Sequence, residues 1–144
     1  MWTEIVAGTV LVATTVLIHS LGLLFLSTML RGGVMRFRPH RNSLGTMAAM
    51  AATVLGLFLI HTIEIWVWAA AYLALGALQD FETALFFSTL SFSTLGAESV
   101  LVAPEWQLFG SIEGVNGFLL IGWSTAYLIP AWTRHGPLHE DRGL

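Results

Sequence analysis

Long apolar stretches separated by short polar segments dominate the pattern of this chain. Three of these stretches are long enough to cross a bilayer, which takes roughly 20 mostly apolar residues. They run from about Ile5 to Leu30, within Ser43 to Leu78, and from about Pro104 to Trp132. The second exceeds one span, so its helix is expected to tilt or protrude. In the third, Pro104 suits a first helical turn and Pro130 is expected to kink or end the helix.

A fourth apolar stretch, Phe81 to Phe92, is too short to cross a membrane. It predicts a helix of about three turns. It leads into the segment from Thr94 to Ser99, which reads T-L-G-A-E-S, and then into the third span. Non-helical backbone at membrane depth is tolerated only where protein buries it or where it lines water. The pattern therefore predicts a re-entrant loop, in which a half-helix enters the membrane part-way and the chain turns back.

The amino-acid composition is typical of a membrane protein and argues against several other classes of protein and site. Of the 144 residues, 56% are hydrophobic and only 10% are charged, well below the quarter typical of soluble domains. There is no cysteine, which excludes disulfides and thiolate metal sites. The sequence has no nucleophile elbow, no phosphate-binding glycine loop and no metal-ligand motif, so we expect no catalytic residues and no cofactor, and we assign no metal ligands. Nothing suggests a basic nucleic-acid surface.

The basic residues, all arginines, predict the orientation. Four of the six lie between the first two spans, from Arg31 to Arg41, and the other two lie in the C-terminal tail. Because positively charged loops stay in the cytoplasm, we expect the N-terminus outside and the C-terminus inside. The segments that flank the half-helix are then extracytoplasmic, and they carry acidic residues and no basic ones.

From residue 44 to residue 129 the chain resembles the pore of the two-transmembrane potassium-channel family. An outer helix, a pore helix, a filter loop and an inner helix follow in that order, with the phrase N-G-F-L-L-I-G-W-S-T-A at 116–126 and the patch H-T-I-E at 61–64. The resemblance is to short bacterial members with an extra N-terminal helix. It implies an all-α homotetramer among the lipids of a bacterial plasma membrane. It divides the chain into an N-terminal helix with its arginine-rich loop (1–42), a pore domain (43–132) and a short tail (133–144).

The filter segment departs from the potassium pattern T-V-G-Y-G-D, whose carbonyl oxygens replace the water around the ion. Aligned position by position, Thr94, Leu95 and Gly96 take the first three places. Ala97 then stands at the aromatic and Glu98 at the second glycine. A non-glycine residue in left-handed backbone costs ~1–2 kcal/mol. The resemblance thus implies an ion pathway along these five residues, in a cation channel that is not selective for potassium.

Glu98 is the sharpest candidate on that pathway. Four copies around an axis would form a carboxylate ring at the outer mouth, a device of cation pores. The ring could attract monovalent cations or hold Ca²⁺, which prefers oxygen ligands, so either class of ion could permeate or block. The alternative is an exposed acid on an outer loop. The altered filter also leaves open a second hypothesis, a channel-derived structural or accessory subunit that does not conduct.

Ionisable residues inside the predicted spans are further candidates. His61 and Glu64 lie three apart, on one helix face, and a helix-bonding pair, a proton sensor and a metal site all stay open. Two ligands on one helix are too few for zinc. Glu113 is expected to meet His61 or Glu64, or to face the axis. His19 stands alone in the first span, where it could supply a haem axial pair with His61.

Glycines recur along the third span. Gly110 and Gly114 form a G-x-x-x-G pair, which lets helices approach closely. In the family that the chain resembles, an inner-helix glycine can act as a gating hinge, and Gly117 and Gly122 are the candidates by position. Close packing is the alternative for both.

Overall fold

The computed structural model describes residues 2–37, 43–96 and 102–135. These residues are almost entirely helical and include no strand. The elements, in chain order, are α1 (Trp2–Phe37), α2 (Ser43–Ala74), α3 (Phe81–Phe92), a 3₁₀ turn (Pro104–Trp106) and α4 (Gln107–His135).

Three of the helical segments are long and apolar enough to span a membrane: Trp2–Gly32, Leu44–Ala74 and Pro104–Pro130. The predicted all-α architecture with three spans is confirmed, as is the short helix between the second and third spans. α3 has 12 residues and the predicted bounds. Pro130 does not end α4, which continues to His135. Bilayer helices accommodate a proline because neighbouring groups can satisfy the freed carbonyl.

Complementary glycines set the packing of α1 against α2. A Cβ added at Gly22 would lie 2.7 Å from Ile60, and one added at Gly56 would lie 2.6 Å from Leu26. Ile60 lies four positions after Gly56 on α2, and Leu26 lies four positions after Gly22 on α1. The glycine of each helix therefore faces the large residue of the other helix. In lipid, van der Waals packing of this kind replaces the hydrophobic effect between helices. The two contacts run in opposite directions along the chain, so α1 and α2 are antiparallel.

The core lies where α2, α3 and α4 meet. The Phe109 ring centroid lies 5.1 Å from that of Trp68 and 5.0 Å from that of Tyr72, and the Tyr72 and Phe87 centroids are 5.1 Å apart. The two contacts of Tyr72 are edge-to-face, the arrangement that the ring quadrupoles favour. This aromatic cluster holds α3 between the two spanning helices.

α3 packs against two glycines of α4. A Cβ at Gly110 would lie 3.1 Å from the ring of Phe87, and one at Gly114 would lie 3.4 Å from the carbonyl oxygen of Ser91. The predicted close approach at the G-x-x-x-G pair is therefore made to α3 of the same chain. The two contacts advance together along both elements, so α3 and α4 run in the same direction.

Asp80 caps the N-terminus of α3, and we expect its replacement by alanine to increase fraying of the first helical turn. Its carboxylate accepts the backbone N–H of Thr83 at 2.8 Å, and this hydrogen bond lowers the pKa of the Asp80 carboxyl. Because the pKa is lowered in the folded protein, the ionised cap stabilises α3 at pH values above the ordinary pKa of the carboxyl group. This stabilisation is lost as the pH falls through the lower pKa of the folded state. Asp80→Ala should speed amide hydrogen exchange at Thr83, whereas Asp80→Asn, still a capping residue, should keep the protection without its pH dependence. Equal exchange in wild type and Asp80→Ala would contradict the cap.

Candidate functional site

The end of α3 meets the middle of both flanking spans. The Phe92 ring centroid lies 5.7 Å from that of His61, and the Phe92 backbone lies against Gly117, where an added Cβ would come within 2.7 Å of the carbonyl carbon. Gly117 is the midpoint of Pro104–Pro130, and His61 lies two residues past the midpoint of Leu44–Ala74. α3 therefore ends halfway along its neighbours.

A turn with left-handed backbone follows α3. Thr94 has φ 61° and Gly96 has φ 83°. The N–H groups of Leu95 and Thr94 donate to the carbonyls of Leu90 and Ser91, each at 3.0 Å, which is the Schellman pattern of helix ends. Glycine usually takes the left-handed position of that pattern, so the β-branched Thr94 there is a true outlier. Strained residues of this kind cost of order 1–3 kcal/mol and cluster at functional sites.

The predicted ion pathway is described only in its inner half. Thr94, Leu95 and Gly96 are exposed on the single chain, and Leu95 exposes 76% of its surface. Ala97 and Glu98 lie outside the described residues, so their place in the pathway stays a prediction.

Four polar side chains from three helices form a closed ring at the level of the α3 end; we call it the His-Glu ring. Oε1 of Glu64 lies 2.9 Å from Nδ1 of His19, and Oε2 lies 2.9 Å from Nδ1 of His61. Oγ of Ser124 closes the ring at 2.9 Å from Nε2 of His61 and 3.5 Å from Nε2 of His19. Glu64 and His19 are fully buried, and His61 exposes 17% of its side chain.

The His-Glu ring ties α1 to the rest of the bundle. The predicted pairing of His61 with Glu64 is present, and Glu64 also reaches His19 on another helix. The two imidazole centroids are 5.3 Å apart and every ring nitrogen faces Glu64 or Ser124, so no porphyrin fits between them. Buried polar groups in lipid must find partners within the protein, and here each carboxylate oxygen has one.

Glu113 lies in a second polar cluster behind α3, and it meets neither His61 nor Glu64. The Tyr72 hydroxyl donates to one carboxylate oxygen at 2.6 Å, and the Ser88 hydroxyl donates to the other. Glu113 is fully buried, so it does not face an open axis either. Glu113 lies at a different depth in the bundle from the His-Glu ring, because it precedes Ser124, the member of that ring on α4, by about 16 Å along the helix. It joins α2, α3 and α4 near one end of the bundle.

The two hinge candidates have different surroundings. Gly117 is buried against the Phe92 backbone, whereas an added Cβ at Gly122 would meet nothing within 4 Å. Close packing therefore accounts for Gly117, and the hinge hypothesis stays a prediction for both.

One face of α4 is exposed from Ser111 to Ile129. Its residues recur every three or four positions and include small and hydroxyl-bearing side chains: Ser111, Val115, Phe118, Gly122, Thr125 and Ile129. In a bilayer such a face lies against lipid, another chain or water.

Sequence reasoning missed three members of the two polar clusters. Ser88 and Tyr72 were not expected to hold Glu113, and Ser124 was not expected to bridge the histidines. No sequence signal identified these three residues, because their placement depends on the register between helices, which only structural contacts such as that of Gly22 with Ile60 reveal.

No protein-family model matches this chain, and no curated protein or solved structure matches it either.

Proposed function

We propose that the chain forms a homotetrameric cation channel with a potassium-channel-like pore. Cations flow passively past Thr94, Leu95 and Gly96 and then past Ala97 and Glu98. The conductance is nonselective among monovalent cations or tuned by divalent ones. The observation that carries this proposal is the end of α3, which stops halfway along the spans in a turn with left-handed backbone at Thr94.

A helix end at mid-membrane needs a special environment. The turn N–H groups bond the carbonyls of Leu90 and Ser91, but the helix dipole still places partial negative charge at this end. That charge favours a cation nearby. Exposed, non-helical backbone such as 94–96 is incompatible with lipid and requires water or protein around it. A water-filled passage at the α3 end meets all of these requirements together.

A single chain has one such turn, which cannot enclose a passage by itself. Several copies around an axis would enclose one, and four is the number that the resemblance implies. The exposed face of α4 would then line the inner half of the passage, with Gly122 and Thr125 as its small and hydroxyl-bearing positions. The exposed apolar face of α2, including Phe58 and Leu59, would contact lipid. The arginine pattern favours an N-terminus outside and a C-terminus in the cytoplasm.

Flux from proteoliposomes tests the proposal. We expect vesicles loaded with K⁺ or Na⁺ to lose both ions at comparable rates, and we expect Ca²⁺ or acid at the outer face to slow the loss. Glu98→Gln should relieve that block, because it removes the carboxylate ring. Glu105→Gln, which changes another acid of the outer segments, is the matched control and should leave the block unchanged. Block of equal strength in Glu98→Gln and wild type would refute the role of Glu98.

The non-conducting accessory subunit remains the second candidate, because Glu98 and Ala97 replace the glycine and the aromatic of the filter pattern. Vesicles that stay tight to K⁺, Na⁺ and Ca²⁺ would favour it. The double variant Ala97→Tyr, Glu98→Gly separates the two candidates further. Gain of potassium selectivity would establish that the segment is a filter in the proposed register.

A further inference from the structure

We propose that the His-Glu ring is a binding site for a divalent transition-metal ion of the zinc type, held by His19, His61 and Glu64. One ligand atom from each of the three lies within 4.8 Å of the others. Two histidines and one glutamate form a common zinc ligand set, which leaves a fourth position for water or another donor. This site is separate from the proposed ion pathway and does not depend on conduction.

The ligand atoms already converge. Both Nδ1 atoms face the same carboxylate, and each lies 2.9 Å from a different oxygen. In a tetrahedral site with bonds of 2.0–2.2 Å, ligand atoms lie about 3.3 Å apart. The three ligand atoms must therefore approach one another by at most about 1.5 Å. A bound ion would replace the two Nδ1 protons.

Hydrogen-bond counting favours an occupied site. When both imidazoles are neutral and both Nδ1–H groups donate to Glu64, both Nε2 atoms are acceptors, and the single proton of Ser124 can serve only one of them. When a metal ion takes both Nδ1 lone pairs, the protons lie on the Nε2 atoms. The Ser124 oxygen, with two lone pairs, can accept from both. Metal-bound histidines usually donate their other N–H to such a partner.

Charge and access are also suitable. Glu64 supplies a negative charge at the centre of the ring, and the only basic residue of the described spans, Arg31, lies near the opposite end of α1 from Trp2 and about 18 Å along the helix from His19. His61 keeps 17% of its side chain exposed on the single chain, so the protein does not fully enclose the His-Glu ring. One extra proton on a histidine would also complete the ring, so the proton is the competing occupant.

The test is zinc binding by the full-length protein, purified in detergent without a polyhistidine tag and stripped with a chelator. His135 and His139 are replaced by glutamine, because histidines four apart can bind metal by themselves. We expect one retained zinc per chain, a higher unfolding temperature with zinc, and a tetrahedral visible spectrum with Co²⁺.

Variants locate the site. His19→Gln and Glu64→Gln should weaken zinc binding by at least 100-fold, and Ser124→Ala should weaken it by about 10–100-fold, as loss of a supporting hydrogen bond does. Glu113→Gln, the matched control at the other buried carboxylate, should bind zinc as the parent does.

Two results would overturn the proposal. One is zinc retention by His19→Gln equal to that of the parent. The other is a parent chain that retains no zinc and gives no tetrahedral Co²⁺ spectrum, which would leave a proton as the occupant of the ring. The second result decides the matter even if the variants fail to fold, because it needs only the parent.

Discussion

Gly117→Ala is expected to displace α3 from its packing contact with α4, to destabilise the protein and to abolish cation flux. The added Cβ would lie 2.7 Å from the carbonyl carbon and 2.8 Å from the Cα of Phe92. Both atoms are backbone, so no side-chain rotation relieves the clash. Overpacking typically costs 1–3 kcal/mol, and we expect about 3 kcal/mol here because one helix must shift. Denaturant unfolding in detergent, together with hydrogen exchange along 81–92, measures both effects.

Gly122→Ala is the matched control for this prediction. It makes the same chemical change five residues further along α4, where an added Cβ meets nothing within 4 Å. Alanine has the higher helix propensity, by up to about 1 kcal/mol, so this variant should be as stable as the wild type or more so. If Gly117 acted only as a hinge, Gly117→Ala would keep its stability and the exchange protection of α3. That outcome would contradict the packing account.

Glu64→Leu is expected to destabilise the bundle by about 2–6 kcal/mol, because it strands two buried donors at about 1–3 kcal/mol each. Without the carboxylate, the Nδ1–H groups of His19 and His61 have no acceptor in the ring, and each unsatisfied buried donor is costly. Unfolding in the presence of a chelator measures this loss without interference from metal.

A double-mutant cycle supplies the control for Glu64→Leu. His19→Leu removes one of the stranded donors, so the double variant should be less destabilised than the sum of the two single variants, by at least 0.5 kcal/mol. Strict additivity would show that His19 and Glu64 do not interact, which would contradict the His-Glu ring.

The spans and α3 could be predicted from sequence because hydropathy over a fixed length decides them. Seven of the 12 residues of α3 are apolar, Asp80 provides a cap, and the following T-L-G-A-E-S cannot continue an apolar helix. The limits of these elements need no knowledge of neighbouring helices.

The partners inside the bundle could not be predicted in the same way, because helix register decides them. His61 and Glu64 were paired from their spacing on one helix. His19 joined them only when the contacts of Gly22 and Gly56 aligned α1 with α2. Glu113 meets Tyr72 and Ser88 and neither of its expected neighbours, because depth along α4, and not charge, selects its partners.

No feature of the sequence predicted the left-handed backbone of Thr94. Glycine is the residue expected in left-handed backbone, and Gly96, two positions later, also adopts it. A threonine is held there by the hydrogen bonds of Leu95 and Gly96 to the Leu90 carbonyl, which only a three-dimensional description reveals.

The central claim is that the end of α3 lies in a water-filled passage at mid-membrane. Cysteine labelling tests it most directly, since the chain has no cysteine and a single introduced thiol has no background. In proteoliposomes, Leu95→Cys should react with a small, charged, water-soluble thiol reagent, whereas Leu59→Cys, at the midpoint of its span and exposed on the apolar face of α2, should not. If Leu95→Cys is as unreactive as Leu59→Cys, while both react after detergent denaturation, no aqueous passage reaches the end of α3 and the channel account is wrong.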